Sequence, residues 1–380
     1  MNLEILKDTM QDSNINFLLG SGLSCPYLPL LGNIETLLTE VEDATLTATQ
    51  RKIIKASLYK RYFDGVIANN PQILKSDPAS SSILNEYKKF LRSLNSLLLK
   101  RKVTLLSKDV NLFTTNIDIF LEKALDELDL EFNDGFNGRF RPLFSLSNFK
   151  ICRFKKSLHF DKSAELPVFN LMKLHGSLSW EQGLNDSVIF SVNLQHIAEV
   201  GTKTLAPDHF IDIPDNAKLA ALIPATSGKV SDAATDAFMD AYEKLLIIVN
   251  PTKEKFHHTL MNETYYELLR LYSNELEKEN TILFVMGFSF ADEHLRDITL
   301  RAANSNPTLV VHIISYTSEA GDQIQAKFPS TTVRNANIKF IAPDQEDDGH
   351  GGKKDAFKYD FATINEKIVG AILTSVDVKN

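Results

Sequence analysis

The sequence predicts an α/β protein built on a doubly wound parallel sheet with an inserted helical module. Short apolar runs recur along the chain and are closed by turn residues, helical patterns follow most of them, and a long leucine-spaced stretch separates the first two. Buried parallel strands alternating with helices read this way, because a strand covered on both faces has no polar side to alternate with.

In chain order the runs are Ile15–Leu19, Leu112–Thr115, Phe169–Leu174, Leu245–Val249, Ile282–Met286, Leu309–Ser315 and Ile338–Ile341. Leu245–Val249 lacks a compact helix after it and reads either as an edge strand or as a loop approaching the sheet. Residues 36–105 carry leucines at amphipathic spacing near Phe90–Leu99 and form the inserted helical module. A second insertion, 128–167, holds the turn signals Asn133-Asp134-Gly135 and Asn137-Gly138 and a basic, aromatic stretch suited to a hairpin. A third, 181–244, mixes Pro, Gly, Ser and Asp and reads as extended loop with a late helix near Asp232–Lys244. Residues 345–352 read as a mobile loop before a last helix. The expected division is a discontinuous Rossmann-like domain in 1–35, 106–127 and 168–316, the helical module 36–105, the insertion 128–167, and a C-terminal strand, loop and helix in 317–380.

At 380 residues the chain exceeds one typical core, and its 43% hydrophobic and 24% charged content, with 24 Phe, is that of a folded globular protein. A net charge of -8 argues against nucleic acid as a direct partner, leaving Lys150–Lys156 as a local basic patch. No run is long and apolar enough to cross a membrane, and Met1–Asp8 lacks a basic segment followed by an apolar one, so the expected location is cytoplasmic. The two cysteines, Cys25 and Cys152, cannot supply a disulfide framework or a four-cysteine zinc site, and no zinc is expected.

Four segments carry candidate chemistry. Gly20-Ser21-Gly22-Leu23-Ser24 follows the first run directly. Glycines at a strand-to-helix turn let backbone amides approach a pyrophosphate, and the N-terminus of a following helix favours its charge, although such turns are also ordinary geometry. Thr115-Asn116-Ile117-Asp118 ends the second run, where carboxyl ends of parallel strands meet ligands, and Asn116 or Asp118 could equally cap the next helix. As a loop residue, Asn116 is expected to be replaceable without opening the core. His175-Gly176 ends the third run; a histidine there can relay a proton, and a loop histidine satisfied by its neighbours is the bland alternative. Gly287-Phe288-Ser289-Phe290-Ala291-Asp292 follows Ile282–Met286, with Ser289 suited to a phosphate or ribose and Asp292 to a helix cap.

Together the Gly-rich turn, the T-x-N-I-D strand end, the H-G pair and the later G-x-S loop resemble the sirtuin family in kind and order, discontinuously over residues 15–303. The resemblance implies NAD as the bound molecule, with Gly20, Ser21, Gly22, Ser24, Thr115, Gly287 and Ser289 against it. It implies that Asn116 positions an attacking water, Asp118 holds the nicotinamide end and His175 acts on the ribose hydroxyls. Protein-deacylating sirtuins carry paired zinc cysteines and an acyl-peptide loop, and neither pattern occurs here. The chain therefore looks more like the sirtuin-like domains of bacterial anti-phage systems, whose members deplete NAD. That likeness implies an NAD glycohydrolase, a homo-oligomer and an associated HerA-type ATPase or other defence protein. Protein deacylation, and a module that senses NAD or ADP-ribose without turnover, are the alternatives.

Overall fold

In the computed structural model, residues 6, 9–30, 33–101, 105–204, 207–250, 259–349 and 352–373 are described. Among them, seven strands form the central sheet: β1 (Asn14–Leu19), β2 (Asp109–Thr114), β3 (Phe132–Asn133), β4 (Val168–Lys173), β5 (Thr281–Met286), β6 (Leu309–Ile314) and β7 (Ile338–Ile341). Their order is β7-β6-β5-β1-β2-β4-β3, and every neighbouring pair is parallel. The apolar runs form strands because both faces are covered. In β1, Ile15, Phe17 and Leu19 enter one buried cluster with the inserted helices, while Leu18 enters a second with Leu283 and Val285 of β5 and residues of the helices Thr259–Leu276 and Glu293–Ser305. Successive side chains of a strand point to opposite faces, so this split is the doubly wound arrangement read residue by residue.

A row of asparagines crosses one half of the sheet at matched register: Asn16 beside Asn111, Asn111 beside Asn170, and Asn170 beside Asn133. Asn111 Nδ2 donates to Asn16 Oδ1 at 2.8 Å, and Asn170 Nδ2 donates to Asn111 Oδ1 at 2.9 Å. Lateral amide bonds of this kind make a polar row tolerable inside a sheet.

The helical module comprises Asn33–Asp43, Ala48–Tyr62, Asn70–Leu74 and Pro78–Leu99. Thr47 and Gln50 form a reciprocal capping box on the second, and Asp77 caps the fourth ahead of Pro78. The fourth presents Tyr87 and Phe90 to the core, where Phe361 of the C-terminal helix Phe361–Ile364 packs on both rings, at 4.8 and 5.9 Å.

Several expectations are corrected. The second and third insertions are not separate, because Phe136–Asn137, Leu143–Phe144, Trp180–Gln182 and Val188–Phe190 make one four-stranded antiparallel sheet around Trp180. In 181–244 the expected late helix is Ala233–Leu245, but two further helices, Gln195–Thr202 and Leu219–Ala225, stand where extended loop was expected, and Tyr242 stacks on Tyr59 of the module at 4.8 Å. Leu245 closes a helix and 246–249 is the loop approach, joined to the core by an isolated bridge between Ile248 and Gly176. The expected hairpin within 128–167 is Arg153–Lys156 paired with Ser163–Leu166. Within the stretch read as a loop, Gln345–Asp347 is a strand paired with Lys353–Asp355; residues 350 and 351 lie outside the described residues. No helix of the described residues is long and apolar enough to cross a membrane.

Candidate functional site

β1 stands at the centre of the strand order, with β2 on one side and β5 on the other, and the chain turns outward from this point in both directions. The carboxyl ends of such a sheet diverge there and leave a crevice. A cleft of about 390 Å³ occupies it, lined by Ser21, Gly22, Ser24, Thr115, Asn116, Asp118, His175, Gly287, Ser289 and Asp292, and by Glu35, Tyr62 and Val66 of the helical module. All four sequence segments therefore meet in one place. Gly20 does not line the cleft; it lets the floor close. A Cβ there would collide with the carbonyl oxygen of Gly287, and Gly22 N–H donates to that same oxygen at 3.0 Å. Gly287 itself adopts φ +63°, a conformation glycine takes without strain.

The helix expected after the Gly-rich turn is a single 3-10 turn, Ser21–Leu23. Its dipole is correspondingly small, so phosphate contact at this end would rest on individual amides and hydroxyls. The hydroxyls of Ser21, Thr115 and Ser289 make no hydrogen bond to another described residue. No Lys or Arg is among the described residues that line the cleft, whereas Glu35, Asp118 and Asp292 are.

Asn116 and Asp118 are buried, each about 4% exposed, so Asn116 is part of the core packing and not a freely exchangeable loop residue. Ser24 Oγ donates to Asp118 Oδ2 at 2.8 Å, which commits its only proton. Ser24 must then accept from the Tyr87 hydroxyl at 3.0 Å and from Asn116 Nδ2 at 3.4 Å. Nδ2 also reaches the Tyr87 oxygen at 3.4 Å, so the carboxamide nitrogen faces the protein and Oδ1 is left buried without a partner.

Asp118 Oδ1 accepts from Phe120 N–H at 3.1 Å, so the cap-like reading of this residue holds alongside its place in the cleft. Burial raises the Asp118 carboxyl above its usual range, opposed by Lys173 and by the bonds from Ser24 and Phe120. Beneath it, buried Lys173 donates to the Asp118 carbonyl and pairs with Glu122 Oε1 at 3.0 Å, and Ser177 Oγ donates to the same Glu122 oxygen at 2.8 Å. Burial, with the charges of Asp118 and Glu35, also raises the Tyr62 phenol.

Elsewhere in the cleft lining, His175 Nε2 lies 3.2 Å from Asp292 Oδ2, while Asp292 Oδ1 accepts from the backbone N–H groups of His294 and Leu295. Asp292 is thus the expected helix cap and a histidine partner at once. Val249 N–H donates to the His175 carbonyl at 2.9 Å, and Gly176 takes φ +76° where Ile247 O leaves no room for a Cβ.

Sequence reasoning missed Tyr62 and Tyr87, supplied by the insertion, Glu35, on the helix Asn33–Asp43 that begins ahead of the expected boundary at 36, and the Lys173–Glu122 pair. A lysine interrupting the apolar end of β4 was the available signal for the pair. Asn250 also lines the cleft, and residues 251–258 lie outside the described residues. Among the described residues, no group of three or more His, Cys, Asp or Glu is placed to hold a metal ion. Compared with known proteins, the chain matches no protein-family model and no curated sequence.

Proposed function

We propose that this chain binds NAD in the cleft and hydrolyses its nicotinamide–ribose bond, giving nicotinamide and ADP-ribose. The observation that carries the reading is the Asn116 carboxamide, whose nitrogen is held by Ser24 and Tyr87 while its buried oxygen accepts from no described residue. A buried acceptor needs a donor, and a water held there would be both the missing partner and the nucleophile.

The chemistry follows from charge. As the bond between ribose C1 and the nicotinamide nitrogen breaks, its electron pair neutralises the pyridinium and leaves oxocarbenium character on the sugar. The water oxygen bonds to C1 and gives up one proton, for which His175 is the acceptor. Carboxylates at Glu35, Asp118 and Asp292, with no lining Lys or Arg among the described residues, favour a ligand whose reacting end is cationic. Fixed groups of this kind act by position and charge, which suits a reaction whose nucleophile is water. NAD depletion in anti-phage defence, self-assembly and a HerA-type or other defence partner enter the proposal through the sirtuin-like resemblance.

The test is incubation of the purified protein with NAD alone. Nicotinamide and ADP-ribose should appear in equal amounts with no acylated peptide present, and Asn116→Ala should lower the rate by about 100-fold or more. Nicotinamide release that requires an acetyl-lysine peptide and yields O-acetyl-ADP-ribose would make the chain a deacylase. Saturable binding with NAD recovered intact would make it a sensor.

A further inference from the structure

The His175–Asp292 pair carries an inference that rests on the proposed NAD cleavage and deepens it. We infer that Asp292 is a positioning residue that fixes the tautomer of His175, placing the ring proton on Nε2 and keeping Nδ1 as the nitrogen that takes the proton from water.

The two Asp292 oxygens have separate duties. Oδ1 accepts from His294 N–H at 2.9 Å and Leu295 N–H at 3.2 Å, closing the start of the helix Glu293–Ser305. Oδ2 lies 3.2 Å from His175 Nε2. An ionised carboxylate only accepts, so a neutral imidazole bonded to it carries its hydrogen on Nε2. Nδ1 then holds the lone pair, and it makes no hydrogen bond to another described residue.

The remaining polar groups nearby leave that assignment in place. Tyr265, from the helix Thr259–Leu276, sets its ring 6.1 Å from the imidazole, and burial together with the Asp292 charge keeps its hydroxyl protonated. Lys327 donates to the carbonyls of Ser289 and Phe290, at 2.9 and 3.3 Å. Glu35 and Asp118 also line the cleft. The backbone of His175 is pinned by Val249, so Asp292 is left to set the ring's rotation and its proton.

Asp292→Asn separates the two duties. The cap amides need an acceptor, so the asparagine oxygen keeps that position and its NH2 turns to His175 Nε2. Nε2 must then accept, and the ring proton moves to Nδ1. The helix keeps its cap, and kcat for nicotinamide release falls about 100- to 10,000-fold with little change in KM. Asp292→Ser also keeps a cap acceptor but loses the contact with the ring, and its loss in kcat is smaller.

The direct readout is imidazole 15N NMR of the full-length protein labelled with 15N-histidine, with the His175 signals assigned by their loss in His175→Gln. The expected result is Nε2–H in the wild type and Nδ1–H in Asp292→Asn. A wild-type proton on Nδ1, or an Asp292→Asn protein with the wild-type spectrum or kcat, would overturn the inference. The spectrum needs no turnover. A chain that shows the tautomer switch yet releases no nicotinamide would keep the Asp292 assignment and lose only the hydrolase reading.

Discussion

The wall of the cleft that carries Asn116 and Asp118 and the wall that carries His175 and Asp292 hold their polar groups in different ways. The first is a buried block, in which Ser24, Tyr87, Asn116 and Asp118 bond to one another over an enclosed Lys173–Glu122 pair. The second is assembled from a helix cap, a backbone bridge and the loop 246–249, and His175 keeps 19% of its side chain exposed. The difference teaches that substitutions in the first wall should cost stability and activity together. In the second wall they should cost activity alone, because cap and chemistry can be separated there.

The largest expected effect tests the block from below. Lys173→Met should destabilise the protein by about 3–5 kcal/mol, because it leaves the buried Glu122 carboxylate without its counter-charge. Urea unfolding measures this, and the double variant Lys173→Met/Glu122→Leu should recover much of the loss. An exposed ion pair would give about 1 kcal/mol or less, and that result would show the block to be solvated.

Gly20→Ala comes next. The new methyl meets the carbonyl oxygen of Gly287, which is backbone and cannot rotate away. The two walls are joined at this contact, so the strain should reach both. A loss of about 1–3 kcal/mol is expected, together with weaker NAD binding by calorimetry. Unchanged affinity would place the ligand away from the junction of β1 and β5.

The contrast between the walls also separates what was legible in the sequence from what was not. Apolar runs located six of the seven strands, since burial on both faces writes itself as a predominantly apolar run even where Asn16, Asn170 or Lys173 interrupts it. β3 escaped because its two residues, Phe132 and Asn133, are too few to show a period, and its place is set by pairing with Phe169 and Asn170. The T-N-I-D, H-G and G-x-S segments were readable because strand ends deliver their residues to one crevice whatever lies between them. Tyr87 was not readable: it lies 29 positions from Asn116, on a helix whose aromatic spacing looks like ordinary core. The His175–Asp292 pair joins residues 117 positions apart and depends on a loop geometry that carries no local pattern.

Tyr87→Phe is the milder test of the block. Removing one hydroxyl withdraws a donor from Ser24 and an acceptor from Asn116 while keeping the ring stacked on Phe120 at 5.6 Å. The expected cost is about 1 kcal/mol in stability and about tenfold in nicotinamide release, read by thermal unfolding and initial rates. Loss of stability with a wild-type rate would mean that Ser24 alone orients the carboxamide.

The smallest effect follows the block outward to the end of β3. Asp134 lies in the turn after Asn133, and burial, with Glu122 adding to it, raises its carboxyl to about 6 from the ordinary 3.8. Between those values the folded protein keeps a proton that the unfolded chain has released, so stability falls as pH rises through about 6 and the loss is complete above it. Asn in its place can still accept from Phe136 N–H, the 3.0 Å bond made by Oδ1, and carries no charge to desolvate. Asp134→Asn should therefore stabilise the protein by about 1 kcal/mol at pH 8, allowing for partial solvent screening, and by almost nothing at pH 4. Parallel urea titrations at the two pH values measure the difference. An equal gain at both would trace it to turn geometry, and the reach of the buried charge would then end at Glu122.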